Sequence, residues 1–364
     1  MGRPAKQRGT SSASQTKVST NPAGESTLDS DRDAVAPSRG VPSDLDNADR
    51  RLIQLLTDDG RMNNRSLAAE IGLSEPTVAA RLRSLNERHF LGVTASLDWV
   101  AAGYLWDAYL EIRVEGRSVK GVSIDLAKVE GVHHVNVVFG PFELLVHVLL
   151  GDATEAIGII ADRIGSIPGV QSVRPNVTLE TIKFETKHAR LPIRPIPLRF
   201  PQPVVDLDET DRALIDLLIG DGRRSNREAA RLLGISEGTI RLRLRRLEDA
   251  GLLRITARSD PYLTGEVNAW AAMGIDAESG ATREVARSLA ALSETAFVSI
   301  VAGSHDIFTA VAVATRERLD ELVLEEIRAL PGVRATSTWE IVATQSFHYQ
   351  WARLLGGHPG DEQA

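Results

Sequence analysis

Arg241, Arg243, Arg245 and Arg246 crowd one short stretch, Ile235-Ser236-Glu237-Gly238-Thr239-Ile240-Arg241-Leu242-Arg243-Leu244-Arg245-Arg246-Leu247. Arginines at that density neutralise phosphate oxygens and can hydrogen bond to base edges, guanine above all. Ile240, Leu244 and Leu247 fall at i, i+4, i+7, the spacing of one buried helical stripe. Ser236 is of the type that caps a helix N-terminus. Ser236 and Thr239, near the helix start, are placed either to contact DNA or to hold that start. A helix with an apolar back and an arginine front suits the major groove. The plainer alternative is a solvated basic helix.

Something must hold such a helix. Periodicity predicts helices over Asp211–Leu218 and Asn226–Leu233, completing a three-helix unit with the arginine stretch as its third member. The unit occurs twice. Residues 45–92 align without gaps on 207–254, with 23 identities in 48 positions. Shared residues include Asp49/Asp211, Asp59-Gly60-Arg61/Asp221-Gly222-Arg223, Gly72/Gly234, Ser74-Glu75/Ser236-Glu237, Thr77/Thr239 and Arg81-Leu82-Arg83/Arg243-Leu244-Arg245. In the first copy the helices are expected over Asp46–Thr57, Asn64–Ile71 and Ser74–His89. Ser74, Thr77, Arg81 and Arg83 are its counterparts of the DNA-facing residues.

The copies differ in charge. Arg223–Arg254 holds nine arginines against four acids; Arg61–Leu91 holds five against three. Fewer cations mean fewer phosphate contacts, so the second copy is expected to dominate affinity. The net charge of −7 does not oppose this, because local charge governs nucleic-acid binding.

After each three-helix unit comes a short extended arm (Leu91–Leu97, Leu252–Ala257), and then the period changes. Expected elements are Leu105–Val114, Val119–Val129, Val132–Phe139, Leu144–Leu150, Thr154–Ile167 and Val170–Thr181. The second copy gives Val267–Ile275, Thr282–Leu292, Thr295–Ala302, Ile307–Ala314, Glu317–Leu330 and Val333–Thr344. Both read βαββαβ, a ferredoxin-like order. The fold class is α+β: two helix-turn-helix domains, each followed by a βαββαβ domain. The expected division is a disordered tail (1–43), a first helix-turn-helix domain (44–92), a hinge and first βαββαβ domain (93–185) and a Pro-rich linker (186–205). A second helix-turn-helix domain (206–254), a hinge and second βαββαβ domain (255–346) and a C-terminal tail (347–364) follow. The tail is poor in large apolar residues, and the prolines of Leu191–Pro203 favour an extended linker.

These motifs resemble the Lrp/AsnC family of feast/famine regulators. Leu207-Asp208-Glu209-Thr210-Asp211, Asp221-Gly222-Arg223, Gly234-Ile235-Ser236 and Arg243-Leu244-Arg245-Arg246-Leu247 are similar to its DNA-binding domain. Asp260-Pro261 with Gly265 is similar to its hinge. The βαββαβ unit is similar to its ligand-sensing, RAM-type domain. The resemblance implies a sequence-specific regulator that binds double-stranded DNA and an amino acid or similar effector. It also implies assembly through paired βαββαβ units, as a homo-oligomer or, here, an intrachain pseudo-dimer. The family's Gly-x-x-Asp loop appears as Gly303-Ser304-His305-Asp306 and, altered, as Gly140-Pro141-Phe142-Glu143. Gly303, Asp306 and Gly140 are therefore the expected effector residues. Ordinary members carry one copy; this chain carries two.

Other chemistry is set aside. Ser304-His305-Asp306 spells a hydrolase triad, but adjacent residues on extended chain point to opposite faces. His133, His134 and His147 sit in apolar strands without a clustered ligand set, so no metal is expected. Trp99, Trp106 and Trp270 read as core or interface. No catalytic residue and no cofactor is expected. The enzymatic alternative is a sirohaem decarboxylase, whose architecture is similar but whose histidine and arginine clusters are not evident here. The absence of cysteine excludes disulfides and thiolate sites and fits a reducing cytoplasm. No apolar run is long enough for a membrane span, and no signal peptide is recognisable.

Overall fold

Residue types at the helix ends explain where the helices begin and stop. The computed structural model describes residues 34–35, 44–88, 90–98, 101–104, 106–151, 153–186, 189–190, 205–259 and 264–347. A two-residue strand β1 (Ala34–Val35) precedes α1 (Asn47–Asp58), α2 (Asn64–Ile71) and α3 (Glu75–Glu87). Asp46 and Asp49 form a capping box at α1, Asn63 caps α2 and Ser74 caps α3. Gly72 closes α2 in the left-handed region, at φ 70°, where a Cβ would be strained. Then follow β2 (Gly92–Leu97), β3 (Trp106–Val114), α4 (Val119–Leu126), β4 (Val132–Phe139) and β5 (Leu144–Leu150). Helix α5 (Ala153–Ile157) runs on as a π-wound segment, Gly158–Ile164, before β6 (Val170–Thr186) and β7 (Ala189–Arg190).

The second copy repeats this order. It has α6 (Glu209–Gly220), α7 (Asn226–Leu233), α8 (Glu237–Asp249), β8 (Leu253–Arg258), β9 (Ala269–Ala277), α9 (Thr282–Ala291), β10 (Thr295–Ala302) and β11 (Ile307–Val313). Helix α10 (Arg316–Glu321) continues as a π-wound Leu322–Ile327 and leads to β12 (Val333–Phe347). The fold is thus α+β, with two helix-turn-helix domains each followed by a βαββαβ domain.

The two βαββαβ units pair with each other. Strand order runs β12-β4-β5-β3-β6-β10-β11-β9 and closes through β9–β12, every neighbouring pair antiparallel. Closure depends on two strands longer than expected. The first half of β6 pairs with β3, and its second half crosses to β10, with Phe184 opposite Phe297. Strand β12 does the same between β9 and β4, with Glu340 opposite Phe139. Inside the barrel Tyr109, Phe142, Phe297, Phe308 and Trp339 pack as one aromatic cluster. Each unit also has an aliphatic core beneath its own helices.

The arms exchange. Strands β2 and β8 pair antiparallel over their whole length. Ala95 and Leu97 of β2 join the core of the second helix-turn-helix domain, while Ala257 of β8 joins the first. Leu52, Leu56, Leu67 and Val78 are wholly buried in the first domain, each contributing about 1.5–3 kcal/mol.

One expectation needs amendment, and others fall on residues that are not described. Within the segment expected to be a disordered tail, Ala34–Val35 pair with Thr344 and Gln345 as an added edge strand. The Pro-rich stretch Leu191–Pro203, the hinge residues Asp260-Pro261, Trp99 and nearly all of the C-terminal tail lie outside the described residues. Among the described residues no helix is long and apolar enough to cross a membrane.

Candidate nucleic-acid interface

The arginines of α8 divide into two sets. Ile240, Leu244 and Leu247 are buried, so the helix presents the expected apolar back. Asp208 and Asp211 form the capping box of α6. Arg243 Nη1 donates to Asp208 Oδ2 at 2.7 Å and Asp211 Oδ1 at 2.7 Å, and Arg246 Nη2 donates to Asp211 Oδ2. Asp211 is wholly buried. Arg243, with the Asp211 backbone N–H, holds the Asp208 carboxyl below the usual carboxylate range. The ion pairs therefore pin α8 to the start of α6.

The first copy has the same clamp with one arginine. Arg81 Nη1 lies 2.8 Å from both Asp46 Oδ2 and Asp49 Oδ1. Serine replaces Arg246 at position 84. The shared Arg-Leu-Arg pattern thus has a structural first arginine and an outward second one. Arg83 and Arg245 are exposed and make no ion pair among the described residues. Arg241 is also exposed, and its one ion pair among the described residues is with Glu237 of its own helix, at 3.3 Å. Beside it Leu242 is 71% exposed, an apolar group of the kind that can meet a thymine methyl.

Ser236 and Thr239 turn toward each other. Ser236 Oγ accepts from the Thr239 backbone N–H at 3.1 Å and lies 2.8 Å from Thr239 Oγ1. Ser74 and Thr77 repeat this at 3.3 and 2.7 Å. These four side chains hold the helix starts in place.

The Asp-Gly-Arg turns join the two helix-turn-helix domains. The Gly60 N–H donates to the Ile255 carbonyl, and the Gly222 N–H to the Val93 carbonyl. A Cβ on Gly222 would lie 2.9 Å from the Thr94 nitrogen, and one on Gly60 as close to the Ile255 backbone. Arg61 Nη1 donates to Asn226 Oδ1 at 3.0 Å, and Arg223 Nη2 to Asn64 Oδ1 at 2.9 Å. Sequence reasoning missed this role, although the identity of the motif in both copies was its visible signal.

The expected effector loops sit on the barrel seam. Asp306 Oδ2 accepts from the Ala277 N–H at 2.9 Å. Glu143 Oε2, its counterpart, accepts from the Val114 N–H at 2.8 Å. Gly303 abuts Asn176 and Gly140 abuts Trp339, in each case leaving no room for a Cβ. Ser304 hydrogen bonds to Glu111 and Asn176, and His305 Nδ1 lies 2.9 Å from Asp276; no Ser-His-Asp relay forms.

The histidines set aside in the sequence lie close together, a proximity the sequence did not show. His147 Nε2 is hydrogen-bonded to the buried Asp107 Oδ1 at 2.8 Å. Its ring lies 4.6 Å from Tyr109, 5.0 Å from His134 and 6.0 Å from His133. Burial, with His147 and His133 adding to it, holds His134 well below the usual imidazole range. The equivalent sites in the second copy are Trp270, Ala310, Phe297 and Ala296. Among the described residues no cluster suits a metal ion.

Models of the AsnC-type helix-turn-helix domain match residues 45–86 and 207–248. A model of the Lrp/AsnC ligand binding domain matches 107–187, and one of a C-terminal dimeric alpha+beta barrel domain matches 276–353. The chain belongs to the Lrp/AsnC family. It is a tandem member, since the helix-turn-helix match occurs twice. An uncharacterized HTH-type transcriptional regulator of Pyrococcus furiosus is 35% identical over 144 residues, covering 39% of this chain and 97% of the relative. One of Pyrococcus abyssi is 38% identical over 147 residues, covering 40% and 92%. These single-copy Lrp/AsnC relatives are therefore about as long as one repeat. The solved structure of the siroheme decarboxylase NirDL covers 84% of this chain and 96% of its own, with TM-score 0.58 and 17% identity. At that identity the likeness concerns the fold.

Proposed function

We propose that this tandem Lrp/AsnC protein is a sequence-specific transcriptional regulator that binds double-stranded DNA as an intrachain pseudo-dimer. The observation that carries the reading is the split among the arginines. One set pins each recognition helix to its own domain, leaving Arg83, Arg241 and Arg245 facing outward. The exchanged arms and the Arg61–Asn226 and Arg223–Asn64 bonds hold the two helices in one frame, as paired half-sites require. The domain limits expected from the repeat are part of this proposal. So are cytoplasmic location and the absence of catalysis. The test is fluorescence anisotropy on DNA upstream of the protein's own gene against a scrambled duplex. Selective binding supports the reading; equal weak binding on both opposes it.

Effector control belongs to the same proposal. An amino acid or similar molecule near Gly303, Asp306 and Gly140 would act by favouring one assembly over another. Gly303 and Gly140 abut the strands that close the barrel, so a ligand there would bear on its seam.

A second reading has one observation in its favour, the histidine cluster on a barrel like that of a siroheme decarboxylase. Two features oppose it. His147 stacks on Tyr109 and lies tilted against His134, so these rings pack in the interior a macrocycle would need. The arginines concentrate on the helix-turn-helix domains instead. A visible absorption band on adding sirohaem to the purified protein would favour the enzyme.

A further inference from the structure

The two Asp-Gly-Arg turns leave a pocket of about 480 Å³ between the helix-turn-helix domains, within the range of ligand sites. Both copies line it, with Arg61 from the first and Arg223 and Arg224 from the second. It also receives the N-terminal ends of two eight-residue helices, through Asn63 at α2 and Ser225 at α7. Free backbone N–H groups and the helix dipole favour an anion at both ends.

The guanidinium groups are not all satisfied. Arg223 Nη1 and Arg224 Nε are shielded from solvent and have no hydrogen-bond partner among the described residues. Burial lowers the proton affinity of Arg61 and Arg223, against the nearby charges of Asp59 and Asp221. Glu75 is the acid in the pocket wall. It lies in the first turn of α3, so the pocket adjoins the end of a recognition helix that enters a major groove.

We propose that this pocket binds a phosphate group between the two helix-turn-helix domains. The phosphate comes either from the DNA backbone between half-sites or from a free phosphate ion. The first source rests on the DNA-binding reading; the second does not.

The test uses the full chain. Arg224 Nη1 bonds to Glu228 of the adjoining α7, at 2.9 Å, so Arg224→Gln leaves the side-chain bonds between the domains in place. Asn63→Asp keeps a capping oxygen and puts a negative charge in the wall. Thermal unfolding is followed in inorganic phosphate and in chloride at equal ionic strength. The wild-type Tm should be about 2–4 °C higher in phosphate, and both variants should lose the difference. No phosphate-specific rise in the wild type, or a full rise in both variants, overturns the proposal.

DNA titrations separate the sources. With the phosphate effect established, a salt slope about one unit shallower for Arg224→Gln assigns the site to the DNA backbone. An unchanged slope assigns it to free phosphate. If the wild-type chain binds no DNA, the DNA-binding reading fails, while the unfolding experiment still decides the pocket.

Discussion

Arg243 and Asp211 face each other across two helices at 2.7 Å, an exposed helix held by a wholly buried carboxylate. The contact separates holding from reading. The cation nearest the apolar stripe is committed to the domain, and Arg245, two residues on, is exposed.

Arg243→Ala should therefore act on stability. It removes the Arg243 donor from Asp211 Oδ1 and leaves Arg246 and the Asp208 N–H on Oδ2, and a buried acceptor deprived of a charged donor costs about 1–3 kcal/mol. Thermal unfolding should show a lower Tm, with Arg245→Ala close to wild type. Equal Tm values for the two variants would remove the distinction.

The two copies should also differ in binding. The second carries more cations, so Arg245→Ala should weaken DNA binding far more than Arg83→Ala. Anisotropy at fixed salt measures both. Matching losses would mean that the halves contribute alike.

The barrel seam depends on close backbone approach. A Cβ at Gly303 would lie 2.8 Å from the Asn176 Cα. Gly303→Ala should cost about 1–3 kcal/mol, as overpacking does. Gly222→Ala should have a similar cost at the arm. Urea unfolding measures both, and wild-type midpoints would contradict the packing described.

The histidine cluster gives stability a pH dependence. His134 is held well below its ordinary value of 6.5, so the fold favours its neutral form. Its contribution is complete above about pH 6.5 and falls as acid charges the unfolded chain, by at most about 1.4 kcal/mol per pH unit. The second copy has Phe297 at this site, so His134→Phe should flatten the decline between pH 6.5 and 5. An unchanged pH profile would place the sensitivity elsewhere.

Much of this was legible in the sequence because local chemistry decides it. Serine and asparagine caps, Gly72 and the i, i+4, i+7 stripe of Ile240, Leu244 and Leu247 act within a few residues. The strands Val132–Phe139 and Leu144–Leu150 likewise begin and end as their apolar runs do. Pairing between distant segments was not legible. The outer halves of β6 and β12 earn their length from strands of the other copy, and the Asp-Gly-Arg turns meet the opposite arm. Counting arginines could not divide them either, because Arg243 and Arg245 differ only in which face of α8 they occupy. The histidines looked scattered along the chain because their meeting depends on the register of β3, β4 and β5.

The most direct test of the account is a salt titration of DNA binding by the full chain, run beside Arg245→Ala and Arg243→Ala. The account predicts selective binding with a steep slope. Arg245→Ala should lower affinity and reduce the slope by about one unit. Arg243→Ala, measured well below its Tm, should keep most of the slope. Binding that ignores Arg245 but fails with Arg243→Ala while the protein stays folded would contradict the division between holding and reading.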